Sequence, residues 1–395
     1  MLLASSFFAL QDNEIEHLRA CCNPSIDWAT FDALVECHRL LPTVYRNLST
    51  HATGLVPPHI LSGFMERAEL NRQNILHILA ELVRISKQFA GEGIQLCALK
   101  GPLLAQRLFG DASLRTSKDI DLLIHSEALA QAEALLLACG YQRTNPAMPL
   151  TPRQWRIYQQ RWRHFVYYHP QRRVQIELHW ALTSTNLVSM QEFRQMLSRA
   201  RSIALAGANL HVLSEEDLPV SLLIHGSLHT WIRLKWLVDF VVWMRRPVDP
   251  DWEGLKTRMG DLGLQRLLAQ GVLLANWMFY TPIPETVQSL IAAEPAAQSM
   301  ANRSLKSIFN VRFTREEMDK GRGLRNIIYW MKLKKDLRYK WNTLTMFWNN
   351  PTYWIELPLP DALHPLYYLL RPFLMLKHNR FRRRGGHPRT SPPES

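Results

Sequence analysis

The chain has 395 residues, close to half of them hydrophobic and about a fifth charged, which fits a folded protein of two or three domains and excludes disorder as its main state. Its net charge of +13 attracts polyanions such as nucleotides, nucleic acid or acidic lipid, but specifies no chemistry. Five cysteines, odd in number and with no C-x-x-C pair, argue against a disulfide framework or a cysteine zinc site and suit a reducing, cytoplasmic compartment.

The first residues, MLLASSFFALQDNEIEH, have no basic lead and run straight into acids, so no signal peptide is expected. No apolar run approaches the roughly 18 residues of a spanning helix; the nearest, around Trp236–Met244, is short and contains Asp239. Residues 1–92 read as a helical region. Phe31, Leu34, Val35, Val44 and Leu48 recur at helical spacing, and a longer helix follows Pro57–Pro58 and stops near Gly91 and Gly93.

The pattern changes over 93–185. Ile94–Leu99 is a short apolar run that suits a buried strand, and Gly101–Pro102 breaks it and starts the helix PLLAQRLFG. After the loop DASLRTSK, DIDLLI alternates like a strand buried on one face, and EALAQAEALLLACG reads as a helix ended by Gly140. RHFVYYH and VQIELHW alternate around PQRR, which predicts an antiparallel hairpin. The order strand–helix–strand–helix–strand–strand describes a small α/β domain. Helices return over 210–310, where SEEDLPVSLLIHGSLHTWIRLKWLVDFVVWMRR reads as a capped helix running to Arg245–Arg246. Residues 320–395 form a basic helical region with interleaved aromatics, ending in KHNRFRRRGGHPRTSPPES, which reads as a disordered tail.

Asp119 and Asp121 flank Ile120 on a predicted strand, so both carboxylates face one way. Two carboxylates a few ångströms apart repel unless a positive charge lies between them, and a divalent cation is the usual solution. D-x-D alone is short, common and equally compatible with solvated acids at a strand edge. His225 and His229, four apart on a predicted helix with Asp239 further on, have a spacing that can bind zinc. They lack the glutamate of a metalloprotease and an evident third ligand, and are read as structural or substrate-cleft residues. No Walker-type P-loop, no G-x-G-x-x-G and no nucleophile elbow occurs.

The surroundings of the two aspartates are more specific. ALKGPLLAQRLFGDASLRTSKDIDLLI, with its Lys100–Gly101 turn, Arg115 and D-x-D-L-L-I, resembles the uncharacterised nucleotidyltransferase family of the polymerase-β-like superfamily. VQIELHWAL resembles that family's third-carboxylate strand, HGSLHTWIRLKWLVDF its helical H-x-x-x-H segment, and PLPDALHPLYYLLRP its closing element. The resemblance implies an α+β fold: a small mixed-sheet nucleotidyltransferase core flanked by N- and C-terminal helical regions. It implies two Mg²⁺ (or Mn²⁺) ions on Asp119, Asp121 and Glu177, with Lys100, Gly101 and Arg115 around the triphosphate; from the residues themselves, His179, His225 and His229 are candidate substrate-cleft side chains. The expected partners are an NTP, with ATP as first candidate, and an acceptor that is a small molecule, a sugar, a peptide or protein, or RNA. A contact of the basic C-terminus with an anionic surface is also considered.

One departure stands out. Polymerase-β relatives generally place Gly-Ser at this turn, where this chain has Gly101–Pro102, so a serine contact to the terminal phosphate must be replaced or lost. The alternative reading is an inactive protein of the same fold that binds nucleotide, RNA or an acidic membrane surface.

Overall fold

The fold was read from a computed structural model that describes residues 1–7, 10–184, 186–310, 324–346, 351–367, 369–370 and 373. It is a mixed α/β protein built on a seven-stranded mixed sheet. Helices open the chain: α1 (Asp12–Cys21), α2 (Trp28–His38), α3 (Leu41–His51) and the long α4 (Pro58–Gly91). Asp27 caps α2 by accepting from the Thr30 amide, and proline in the first turn starts α3 and α4, where its missing N–H costs nothing. Ile78, Leu82, Ile85 and Phe89 form one buried stripe on α4 that covers a face of the sheet.

The sheet then assembles from β1 (Cys97–Ala98), α5 (Pro102–Phe109), β2 (Asp119–Leu123), α6 (Leu129–Ala138), β3 (Gln142–Asn145), α7 (Pro152–Arg161), β4 (His164–His169), β5 (Val174–His179), α8 (Met190–Ser198), β6 (Arg201–Leu205) and β7 (Ala208–Val212). The strand order is β3–β4–β5–β2–β1–β7–β6. β2 runs parallel to β5 and antiparallel to β1, and β4 and β5 form the hairpin expected around Pro170–Arg173. The sheet is wider than the apolar alternation suggests. The β6–β7 hairpin extends it beside β1, and β3 pairs with β4. β3 (Gln142, Arg143, Thr144, Asn145) is polar throughout and β6 opens on the exposed Arg201 and Ser202, so these edge strands lack the apolar alternation of the inner ones.

Alternation sorts the two faces. Ile120, Leu122 and Ile124 of the β2 segment join Val174, Ile176 and Leu178 of β5 and Phe165 and Tyr167 of β4 in the core beneath α4 and α6. Asp119 and Asp121, Gln175, Glu177 and His179, and His164 fall on the opposite face, toward the second helical layer. That layer is α9 (Asp217–Leu228), α10 (Leu234–Met244), α11 (Trp252–Asp261), α12 (Gln265–Phe279), α13 (Glu285–Ala293) and α14 (Pro295–Phe309).

The single long helix read from Ser214 to Arg246 is two helices, α9 and α10. Thr230 and Trp231 both take positive φ between them. Trp231 returns its amide to the Gly226 carbonyl at 2.8 Å and lays its buried indole on that glycine, where an added Cβ would stand 2.3 Å from the ring. Burial of a tryptophan outweighs the helix continuation that local propensity favours.

Further helices α15 (Leu324–Lys332) and α16 (Leu337–Met346) carry part of the basic stretch. Part of its aromatic side faces inward: Tyr329 donates to the Ser227 carbonyl and Trp330 to the Leu228 carbonyl, and Leu333 and Tyr339 are buried, whereas Trp341 is exposed. The RFRRR tail expected to be disordered lies outside the described residues. Among the described residues no helix is long and apolar enough to cross a membrane.

Candidate active site

The loop from Asp111 to Lys118 delivers β2 into the site and is pinned from two sides. Asn71 and Asn74 of α4 donate to the carbonyls of Ser113 and Ser117, each at 2.9 Å, and Lys235 of α10 donates to the Thr116 carbonyl at 3.4 Å. Asp119 and Asp121 then project from the same face of β2. In the parallel pairing Asp121 lies directly across from Glu177, and Leu123 from His179. Three carboxylates from two adjacent strands thus share one patch.

Cationic and neutral donors fill the gaps. Lys100 Nζ stands 3.5 Å from Asp121 Oδ1, and His179 Nε2 lies 3.1 Å from the same oxygen and 3.3 Å from Glu177 Oε2. His164, across from His179 in the hairpin, brings its Nε2 to 3.9 Å from Glu177 Oε2. The electrostatic strain falls on Asp119. Burial, and then the charges of Asp121 and Glu177, push its carboxyl up to about 7, against partial relief from Lys100 and Lys235. Burial also works against the ionised forms of Asp121 and Glu177, but Lys100 and His179 hold Asp121 below its ordinary range, and the His179 contact brings Glu177 down to about 2. Burial, reinforced by His179, drives His164 down to about 3, so its imidazole is neutral.

Oxygen-rich and anionic, this donor set fits divalent cations, since burial and then the neighbouring charges of Asp121 and Glu177 disfavour the ionised Asp119 when no cation offsets them. Among the described residues, the cluster able to supply three metal-ligand atoms is His164, Glu177 and His179.

Gly101 adopts φ 74° and ψ −146°, a conformation essentially reserved for glycine, at the turn between Lys100 and α5. A Gly101→Ala variant is expected to lose ~1–3 kcal/mol of stability in chemical denaturation, from backbone strain. The nearest atom to its added methyl, Ser117 Oγ, stays at an ordinary 3.6 Å, so crowding adds little.

Arg115 has a carboxylate of its own. Its Nε reaches both oxygens of Asp239 at 3.1 Å, and both side chains are buried. Asp239 is therefore a partner of Arg115 rather than a third member of a zinc set with His225 and His229. Those two histidines meet edge to face at 4.7 Å between centroids and both contact the Trp236 ring. His229 stands just past the end of α9, and burial holds both imidazoles below their usual range, His229 at about 3. A small cavity is lined by Leu99, Lys100, Arg115, Ser221, His225 and Asp239, and a second beside it by Lys100, Arg163, His179 and His225. Lys100, His179 and His225 thus meet between sheet and helices.

The model of a family described as uncharacterised nucleotidyltransferases matches residues 24–280, which include every one of these side chains. The chain belongs to that family. No curated protein and no solved structure matches it. The family's name indicates nucleotidyl transfer in general and implies an NTP as substrate. In this family member two side chains at the site escaped sequence reasoning. His164 was legible in principle, since counting outward from the Pro170–Arg173 turn sets it opposite His179. Lys235 was not: only the packing of α10 on the Asp111–Lys118 loop brings it near Asp119, where burial lowers its ammonium to about 7.

Proposed function

We propose that the chain transfers a nucleoside monophosphate from an NTP, with ATP as first candidate, to an acceptor hydroxyl or phosphate, using two divalent cations held by Asp119, Asp121 and Glu177. The observation that carries this reading is the pairing of Asp121 with Glu177 across β2 and β5, with Asp119 beside them on the same face. Bound there, Mg²⁺ or Mn²⁺ would offset the carboxylate charge and stabilise the charge of an in-line displacement at the α-phosphate.

The protein's own groups do the rest. Lys100, 3.5 Å from Asp121, sits at the glycine turn, where a triphosphate could approach the backbone closely, and would draw the leaving pyrophosphate. Ser117 Oγ, adjacent to Gly101, is the hydroxyl available where relatives use the serine of Gly-Ser. His179 binds Asp121 and Glu177 together and fixes the orientation of both carboxylates. Arg115 acts through its buried partner Asp239, bracing the loop that carries Asp119 into place.

Transfer from α-labelled ATP, GTP, CTP and UTP into a desalted cell extract tests the reading, comparing the wild type with Asp119→Ala/Asp121→Ala. Metal-dependent label in a discrete product, absent with the variant, is the expected result. Label transferred equally by the variant would remove the site assignment, and metal-independent nucleotide binding that survives the substitutions would favour a binding protein of this fold.

A further inference from the structure

His164, Glu177 and His179 offer more than the carboxylates of a Mg²⁺ site. The three come from one hairpin. His164 of β4 faces His179 of β5 in register, and Glu177 lies two residues from His179 on the same face. The Nε2 atom of His179 is 3.3 Å and that of His164 3.9 Å from Glu177 Oε2, and all three candidate ligand atoms lie within 4.8 Å of one another. Ligands about 2.0–2.2 Å from a shared ion at tetrahedral or octahedral angles stand roughly 3.0–3.6 Å apart, so small side-chain adjustments enclose an ion. Asp121 Oδ1, 3.1 Å from His179 Nε2, is within the same reach.

Hydrogen bonding alone leaves part of this arrangement unexplained. His179 can donate from Nε2 to the neighbouring carboxylates, but a separation of 3.9 Å between His164 and Glu177 is too long for a hydrogen bond. We propose that His164, Glu177 and His179 form a mixed nitrogen–oxygen site selective for a divalent transition-metal ion over Mg²⁺, with Mn²⁺, the weakest-binding of the series, as the probe ion. Mg²⁺ demands oxygen donors in near-ideal octahedral geometry and sheds water reluctantly, whereas paired imidazoles with a carboxylate suit the first-row transition ions. When His164 and His179 ligate through Nε2 their protons lie on Nδ1, so the 3.4 Å approach of Arg163 Nε to His164 Nδ1 and the Nε2 contacts of His179 with Asp121 and Glu177 give way on binding. The role of the ion rests on the transfer reading, where it would occupy the Glu177 side of the pair. Its binding does not.

The test is direct binding of Mn²⁺, read from loss of the free-ion electron paramagnetic resonance signal, in the presence of Mg²⁺ at about a 100-fold excess. Wild type is expected to retain one Mn²⁺. His164→Ala and His164→Gln, each confirmed folded by circular dichroism, are expected to weaken that ion by ~10-fold or more, in line with what metal sites lose when their shell is breached. Mn²⁺ displaced by Mg²⁺ as readily from wild type as from folded His164→Ala would overturn the proposal. Mn²⁺ retained by a wild type that transfers no label would sustain the metal site and remove the transfer reading, so the two fail separately.

Discussion

Replacing Asp119 by asparagine will reduce nucleotidyl transfer by ~10³-fold or more, since a cation ligand is worth several kcal/mol of transition-state stabilisation. The same substitution will make the metal-free fold more stable, not less. Burial, with Asp121 and Glu177 close by, raises the Asp119 carboxyl from 3.8 to about 7. A carboxyl whose folded pKa exceeds its unfolded value costs nothing below about pH 4, where both states are protonated. The cost grows as pH rises through the interval and is complete above about 7, where it amounts to at most ~4 kcal/mol. Asparagine keeps the shape and removes the charge. Thermal unfolding with a chelator present should therefore show the variant above wild type at pH 8 and the two converging near pH 4. Comparing the two proteins at each pH is essential, because buried His38, His164 and His229, all depressed first by burial, impose the opposite slope between about 3 and 6.5 on both. Saturating Mn²⁺ should stabilise wild type and leave the variant less changed. An asparagine variant less stable than wild type at pH 8 without metal would show that the carboxylates are not under strain.

The second large effect lies at Arg115–Asp239. Both side chains are buried, and the guanidinium meets both carboxylate oxygens at 3.1 Å. Removing one partner strands a charge in the interior, so Arg115→Ala and Asp239→Ala should each cost ~3–5 kcal/mol, while the double variant should cost far less than their sum. A denaturant double-mutant cycle reads this coupling. Additive losses would mean that water reaches the pair and screens it. Loss of activity should accompany the single changes even where the protein stays folded, because Arg115 lies on the loop that presents Asp119 while Asp239 shares α10 with Lys235, which holds that loop at Thr116.

What could be read from the chain followed what is local. The alternation in DIDLLI put Asp119 and Asp121 on one face because strand period is a property of consecutive residues, and the turn at Pro170–Arg173 fixed the hairpin register. The two-residue spacing of Gln175, Glu177 and His179 set those three together for the same reason. Features that depend on distant packing were hidden. Nothing near Ser214–Arg246 announces a break at Thr230–Trp231, which exists because Trp231 finds burial on Gly226. Arg115 looks free in sequence, and its partner Asp239 lies 124 residues away. The β6–β7 hairpin joins the sheet through backbone hydrogen bonds to β1 that no side-chain pattern encodes.

The most direct measurement is the position of metal and nucleotide in a crystal of the full chain grown with Mn²⁺ and a non-hydrolysable NTP analogue. Anomalous density bonded to Asp119 and Asp121, with the α-phosphate of the analogue at that ion and Glu177 facing it, is the expected result. An ordered analogue with its phosphates away from these carboxylates, or Mn²⁺ bound only elsewhere, would contradict nucleotidyl transfer at this site.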